Sequence, residues 1–203
     1  MPGGLQQPNA AGITITWWAQ PLSPGAMMHL NANNVAPGGI TGAYCLLPSD
    51  PSIVPSCSAP AATFEPPTAL TLYKRWSFFT LRLSSSNVAT LYVNGTPGYS
   101  VTWNGPMTNI KELDIMGYSS TSPQWTQGFV SNVQAYNTTL PATEISLLYR
   151  EGIGGVPINL RNLVGWWPLN GDAKDYSGNN NDGVVAASGV IYTSGWTGGY
   201  YAP

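Results

Sequence analysis

Charge is what this sequence has least of. Lys and Arg number 7 and Asp and Glu number 9, so charged residues make up 8% of the chain and the net charge is −2. Soluble domains ordinarily carry about a quarter. Without clustered Lys and Arg to neutralise phosphates, a nucleic-acid partner is excluded. There is one histidine, His29, and only two cysteines, Cys45 and Cys57. No apolar run reaches the roughly 18 residues a bilayer span requires, so no membrane span is expected. No basic n-region leading into an apolar h-region follows Met1, so any signal peptide is expected to have been removed or to lie outside this sequence. Hydration must come instead from Ser, Thr, Asn and Gly, with help from attached glycans.

What is present is aromatic and turn-rich. The 203 residues include 8 Trp, 11 Tyr, 23 Gly and 18 Pro, and 43% are hydrophobic. That is enough to build one sizeable core, and all-β chains of this length are often a single domain. Gly12–Gln20 alternates apolar and polar residues as a half-buried strand does. Ala26–Ala32, Trp76–Leu83, Val88–Val93, Tyr99–Trp103, Glu112–Gly117 and Gly128–Asn137 read as further strands. Asn94-Gly95 marks a hairpin turn, since both central residues of such turns need positive φ. One segment is helical: Leu140–Arg150 has Pro141 in its first turn, apolar residues at helical spacing and Gly152 as its stop. Short strands with one small helix describe an antiparallel jelly-roll β-sandwich, its helix covering an open edge or end.

Three stretches carry a family resemblance. The first is Trp76 on a strand running toward Leu91-Tyr92-Val93-Asn94-Gly95. The second is Phe129–Asn137 leading into Leu140 and the Glu144–Tyr149 helix. The third is Leu163-Val164-Gly165-Trp166-Trp167-Pro168-Leu169-Asn170-Gly171, followed by the polar turn Asp172–Gly183. In combination the chain resembles the laminin-G-like (concanavalin A-like) jelly-roll family. The order departs from that family, because the third stretch normally opens the fold and here comes last.

The resemblance implies a single sandwich over residues 1–203 with permuted strand order. Residues 1–151 form the main body, 152–162 a Gly/Pro linker, and 163–203 the hairpin that ordinarily comes first. The two chain ends are then expected near each other, with the Val164–Leu169 strand beside Val130–Tyr136. That strand, with Val164, Trp166 and Leu169, pairs either within its own chain or with a neighbour. Exchange between chains gives head-to-tail polymers when the symmetry does not close.

Cys45 and Cys57 stand in a Pro- and Ser-rich stretch and are either two buried thiols or a disulfide. The intervening prolines favour the bridge, worth on the order of 3 kcal/mol by chain entropy, and with it an extracytoplasmic setting. With no histidine nearby, zinc is not expected. No catalytic constellation stands out. His29, beside Met27, Met28 and Leu30, reads as a packed or partly exposed residue rather than a general base, and Glu112 and Asp114 alternate onto one face expected to meet solvent. The Asp172–Gly183 turn is rich in hard oxygen donors, which calcium takes, although Asp and Asn also cap their own backbone in turns. The family often binds calcium at a loop end, which implies Asp172, Asp175 and Asn179 as candidate ligands.

Adjacent strand residues face opposite ways, so one member each of Trp17-Trp18 and Trp166-Trp167 leans outward. Trp18, Trp167, Trp103, Trp125 and Trp196 are accordingly the expected interaction surface for glycan or protein. Asn94-Gly95-Thr96 and Asn137-Thr138-Thr139 are glycosylation patterns. The reading is a non-catalytic extracellular surface or adhesion protein whose terminal hairpin mediates head-to-tail self-assembly into a filament or array. Two alternatives stand beside it: a lectin-like glycan-binding module, calcium-assisted or not, and one repeat of a larger tandem protein.

Overall fold

The computed structural model describes residues 12–32, 44–47, 56–59, 62–64, 72–86, 88–102, 110–118, 124–185 and 189–193. The chain runs β1 (Ile13–Pro21), β2 (Gly25–Ala32), β3 (Tyr44–Leu47), β4 (Ser56–Ala59), β5 (Ala62–Phe64), β6 (Ser77–Leu83), β7 (Val88–Val93) and β8 (Thr96–Thr102). It continues through β9 (Ile110–Ile115), β10 (Gly117–Tyr118), β11 (Gln124–Trp125) and β12 (Gly128–Tyr136). Helix α1 (Ala142–Glu151), a 3₁₀ turn at Leu160–Asn162 and β13 (Leu163–Trp167) follow. A six-stranded sheet ordered β13-β12-β1-β6-β7-β8 faces a five-stranded sheet ordered β5-β4-β3-β2-β9, all pairs antiparallel. This is the all-β sandwich with one α-helix that the sequence leads one to expect.

Period-two alternation places Ile13, Ile15, Trp17 and Ala19 of β1 in the core between the sheets. There they meet Met28 and Leu30 of β2, Phe79 and Leu81 of β6, Leu91 of β7 and Trp167 of β13. Trp17 stands opposite Phe79 in register, and their rings stack at 5.5 Å. The Asn94-Gly95 turn is as expected, with φ of 50° and 76° at its two central residues. Asn94 Oδ1 also accepts the Phe78 N–H at 2.9 Å.

The outer face of the six-stranded sheet is buried too, and here the sequence expectation needs correcting. Helix α1 lies on this face rather than over an edge or end. Trp18, Phe78, Tyr92 and Tyr136 of the sheet form a second cluster with Leu140, Ile145, Leu148, Ile153 and Leu163. Trp18 is 1% exposed, packed at 5.3 Å on Phe78 and 5.8 Å on Tyr149. It is therefore core, not interaction surface. Thr14, polar and outward-facing on β1, is also buried: its hydroxyl donates to Thr138 O at 2.8 Å and accepts the Leu140 N–H at 3.0 Å. Those two bonds fix the chain's entry into α1.

The 152–162 stretch, expected as a linker, is packed against the same face. Ile153 is buried, and Asn132 Nδ2 donates to Gly155 O at 2.7 Å. Asn132 Oδ1 accepts from Gln134 Nε2 and Trp166 Nε1, while the Tyr136 hydroxyl donates to Gln134 Oε1. Burial pushes the Tyr136 phenol far above its ordinary range, so it stays a neutral donor in this network. Strand β13 lies beside β12 of its own chain, with Gln134 opposite Trp166 and Val133 opposite Trp167. Trp167, like Trp18, is core: it is 6% exposed and its Nε1 donates to Asn181 O at 2.9 Å. The proposed join of the two chain ends lies outside the described residues.

Candidate functional site: an aromatic end of the sandwich

Most aromatic rings are consumed by the two core layers, which makes an exposed one informative. Trp125 is 60% exposed. Its place is set where β1 ends and β12 begins. Pro21 closes β1, and the turn to β2 is tied down by Leu22 N–H donating to Gln127 O at 2.7 Å and by Gln127 N–H donating to Ser23 Oγ at 2.8 Å. The next loop is held to the same end, with Lys74 N–H on Pro21 O and Gln20 Nε2 on Lys74 O, both at 2.9 Å. Beside Trp125, the buried Thr126 donates its hydroxyl to Ala26 O at 2.8 Å.

Trp125 stands opposite Gly117, and a Cβ at residue 117 would lie 2.4 Å from the indole carbons Cε3 and Cζ3. The absent side chain lets the ring rest against the backbone of β10. Four residues on, Phe129 is 41% exposed and packs at 6.3 Å against half-buried Trp76. Exposed Leu22, Lys74 and Arg75 complete this end. Burial raises the phenol of neighbouring Tyr73, which stays a neutral hydroxyl. This end thus carries an exposed indole on β11 and, at the start of β12, an aromatic pair whose Trp76 follows Lys74 and Arg75 in the chain. It has the parts for stacking and hydrogen bonding to a neutral or weakly acidic ligand.

The other expected site residues fall elsewhere. His29 is 2% exposed and paired through Nδ1 with Asp114 Oδ2 at 3.0 Å, directly across the β2–β9 ladder. It is the packed residue its neighbours suggested. Asp114, expected to face solvent, is turned to His29 and half-buried, because the ladder sets the two opposite each other. Trp166 is half-buried, and Val164 and Leu169 pack on the inner core. Trp103 and Trp196 lie outside the described residues. Asn94 and Asn137 are both half-buried, Asn94 in its hairpin turn and Asn137 with its N–H on Asn162 O at 2.9 Å.

Asp172, Asp175 and Asn179 do share one loop, yet their donor atoms do not fit a calcium cage. Asp175 Oδ1 accepts the N–H groups of Trp166 and Ser177, and Oδ2 accepts that of Asn181, each at 2.9 Å. Asp172 accepts the Lys174 N–H and the Tyr176 hydroxyl. Asn179 donates its Nδ2 to Leu163 O and Ser177 Oγ. Calcium requires about six to eight oxygens turned toward one point. Among the described residues no group of three or more His, Cys, Asp or Glu is placed to hold a metal.

The Trp76–Phe129 pair and the Gly117 seat were not legible beforehand. Trp125 itself stood among the expected surface tryptophans, and the adjacent Lys74, Arg75 and Trp76, in a chain with 7 basic residues, are the signal that could have pointed to the rest.

The fold has known counterparts. A heptameric SAP-like pentraxin from Limulus polyphemus is similar at 14% identity and a TM-score of 0.53, over 68% of this chain and 70% of that one. A Bacteroides ovatus protein named as carbohydrate-binding is similar at 15% identity and a TM-score of 0.60, over 83% of this chain and 50% of that one. Trypanosoma rangeli sialidase shares the fold at 15% identity and a TM-score of 0.53, over 72% of this chain and 24% of the enzyme. The chain thus matches half of the Bacteroides protein and about a quarter of the sialidase. No curated protein sequence matches it. The family model of the concanavalin A-like lectin/glucanases superfamily matches residues 3–146, and with that match over a sandwich of this topology the chain belongs to that superfamily.

Proposed function

We propose that this chain is a non-catalytic, lectin-like module that binds glycans at the aromatic end of its sandwich, with Trp125 as the stacking platform. The observation that carries this reading is an indole 60% exposed in a fold that buries Trp17, Trp18 and Trp167. An indole laid out flat suits the C–H face of a pyranose ring, and Phe129, Trp76, Lys74 and Arg75 extend the contact. A non-enzymatic role is supported by the burial of the one histidine against Asp114.

The test is a glycan array probed with the intact chain, followed by titration of the retained sugars. Trp125→Ala is expected to weaken binding by about thirtyfold, the scale of a binding hot spot. Gly117→Ala, which pushes the ring off its seat, is expected to weaken binding without lowering thermal stability, because the exposed indole can swing aside. An array that retains no glycan, or a Trp125→Ala profile equal to wild type, would sink the reading.

A surface or adhesion role outside the cytoplasm goes with it. The β3–β4 ladder sets Cys45 directly opposite Cys57, and opposed residues of an antiparallel pair hold their Cα atoms about 4.5–5.5 Å apart, within disulfide reach. Intact-mass measurement after alkylation under denaturing, non-reducing conditions is expected to find both thiols blocked until reductant is added. The same spectrum of chain made by a glycosylating host reports on Asn94 and Asn137.

Assembly into a filament or array is a second reading. It is favoured by the apolar residues Val184, Val185, Val190, Ile191 and Tyr192, all exposed near the end of the chain. With β13 paired within its own chain, this apolar stretch is one contact such assembly would use, and the same β13–β12 pairing made with a neighbour is the other. Negative-stain microscopy over a concentration series decides it: dispersed particles at every concentration would remove it.

A further inference from the structure

Strand β13 is the outermost strand of the six-stranded sheet, and an open sheet edge is a template for pairing with another chain. This edge is not open. The Trp166 N–H donates to Asp175 Oδ1 at 2.9 Å, and Trp166 O accepts the Tyr176 N–H at 2.7 Å. Val164 O accepts from Asn181 Nδ2 at 2.8 Å, and Leu163 O from Asn179 Nδ2 at 3.2 Å. The Trp166 and Val164 groups are two residues apart and so point the same way, outward from β12.

The loop that supplies these partners is held by its own bonds. Asp175 also accepts the Ser177 and Asn181 N–H groups, its own N–H donates to Asp182 Oδ1 at 2.9 Å, and Gly183 N–H donates to Ala173 O at 2.7 Å. Asn181 is buried at 7% exposure, and its carbonyl holds the Trp167 indole N–H. Asp175 is thus the hub: one carboxylate fixes both the edge strand and the loop.

We propose that residues 172–182 form a latch that stands in for a further strand, closing the β13 edge against pairing with a second copy of this chain and doing so without a bound cation. The Asp- and Asn-rich composition of this turn follows from that role. The Asp175 carboxylate receives the outward Trp166 N–H, while the Asn179 and Asn181 side-chain amides and the Tyr176 N–H meet carbonyls of the edge strand.

The test uses the full chain, as wild type and as Asp175→Ala, Asp175→Asn and Asn181→Ala. Sedimentation velocity over a concentration series and amide exchange at Trp166 are the readouts, with thermal stability in calcium and in chelator. The wild type is expected to melt at the same temperature in both. In Asp175→Ala, Trp166 is expected to exchange at least about tenfold faster, as an amide freed by local opening does, and the chain to associate as concentration rises. Asp175→Asn keeps an acceptor for Trp166 but loses the full set and should fall between. Asn181→Ala frees only the Val164 carbonyl, so it keeps the proposal testable should Asp175→Ala fail to fold. A calcium-dependent rise in wild-type melting temperature, or variants that stay monomeric with Trp166 still protected, would overturn the proposal.

Discussion

Replacing Trp18 with alanine is expected to cost about 3–5 kcal/mol of folding stability, the usual scale for truncating a buried large aromatic. In the absence of the structure, Trp18 is a plausible surface residue: adjacent strand positions face opposite ways, and Trp17 already fills the inner core. The cost follows from the second layer. Trp18 is the flat centre of a cluster in which Phe78 and Tyr149 pack on its ring and Leu140, Ile145 and Leu148 of the α1 region close over it. Removing it leaves a cavity beneath a helix whose short length gives it little stability of its own. The denaturant midpoint should fall accordingly, with a melting-temperature drop of about 10 °C or more for a chain of this size. Trp125→Ala is the control, since truncation of an exposed ring should move stability by no more than about 0.5 kcal/mol. Equal effects from the two substitutions would mean that α1 does not cover this face.

Ending the chain after Gly155 is the more severe change, and loss of the cooperative fold is the expected result. From sequence, the same truncation looks as though it leaves a soluble if weakened body, because residues 163–203 read as a detachable hairpin. The structure places too much of the core in that segment. Trp167 belongs to the inner cluster and Leu163 to the outer one. The Trp166 indole N–H satisfies Asn132 Oδ1 in the buried network under the 152–158 stretch. Truncation would also bare the β12 edge, a long strand with no latch of its own, and such an edge invites aggregation. Circular dichroism in urea should show no cooperative transition, and the truncated chain should leave solution or run as aggregate. A soluble truncated chain with a sharp transition would mean that β13 is an accessory and not part of the sandwich.

The strand at Gly12–Gln20, the Asn94-Gly95 hairpin, the helix within Leu140–Arg150 and the β13–β12 pairing follow from periodicity, turn chemistry and family resemblance, because each rests on residues close together or on a recognisable pattern. The layer on which α1 lies does not follow. A helix with an apolar stripe fits an edge, an end or a face equally well, and only the cluster around Trp18 selects the face. The same holds for the aromatic residues as a site. Trp125 was one of five tryptophans put forward, and what separates it from Trp18 and Trp167 is burial, a property of the assembled chain.

By itself the sequence determined a polar, oxygen-rich loop after a strand, together with an all-β sandwich poor in charge and rich in buried aromatics. Whether those oxygens meet a cation or backbone N–H groups was decided by the tertiary structure, which sets the loop alongside the outer edge of β13. A carboxylate beside unpaired amides takes their hydrogen bonds, because leaving such groups unpaired as the edge is covered costs more than any one of those bonds contributes.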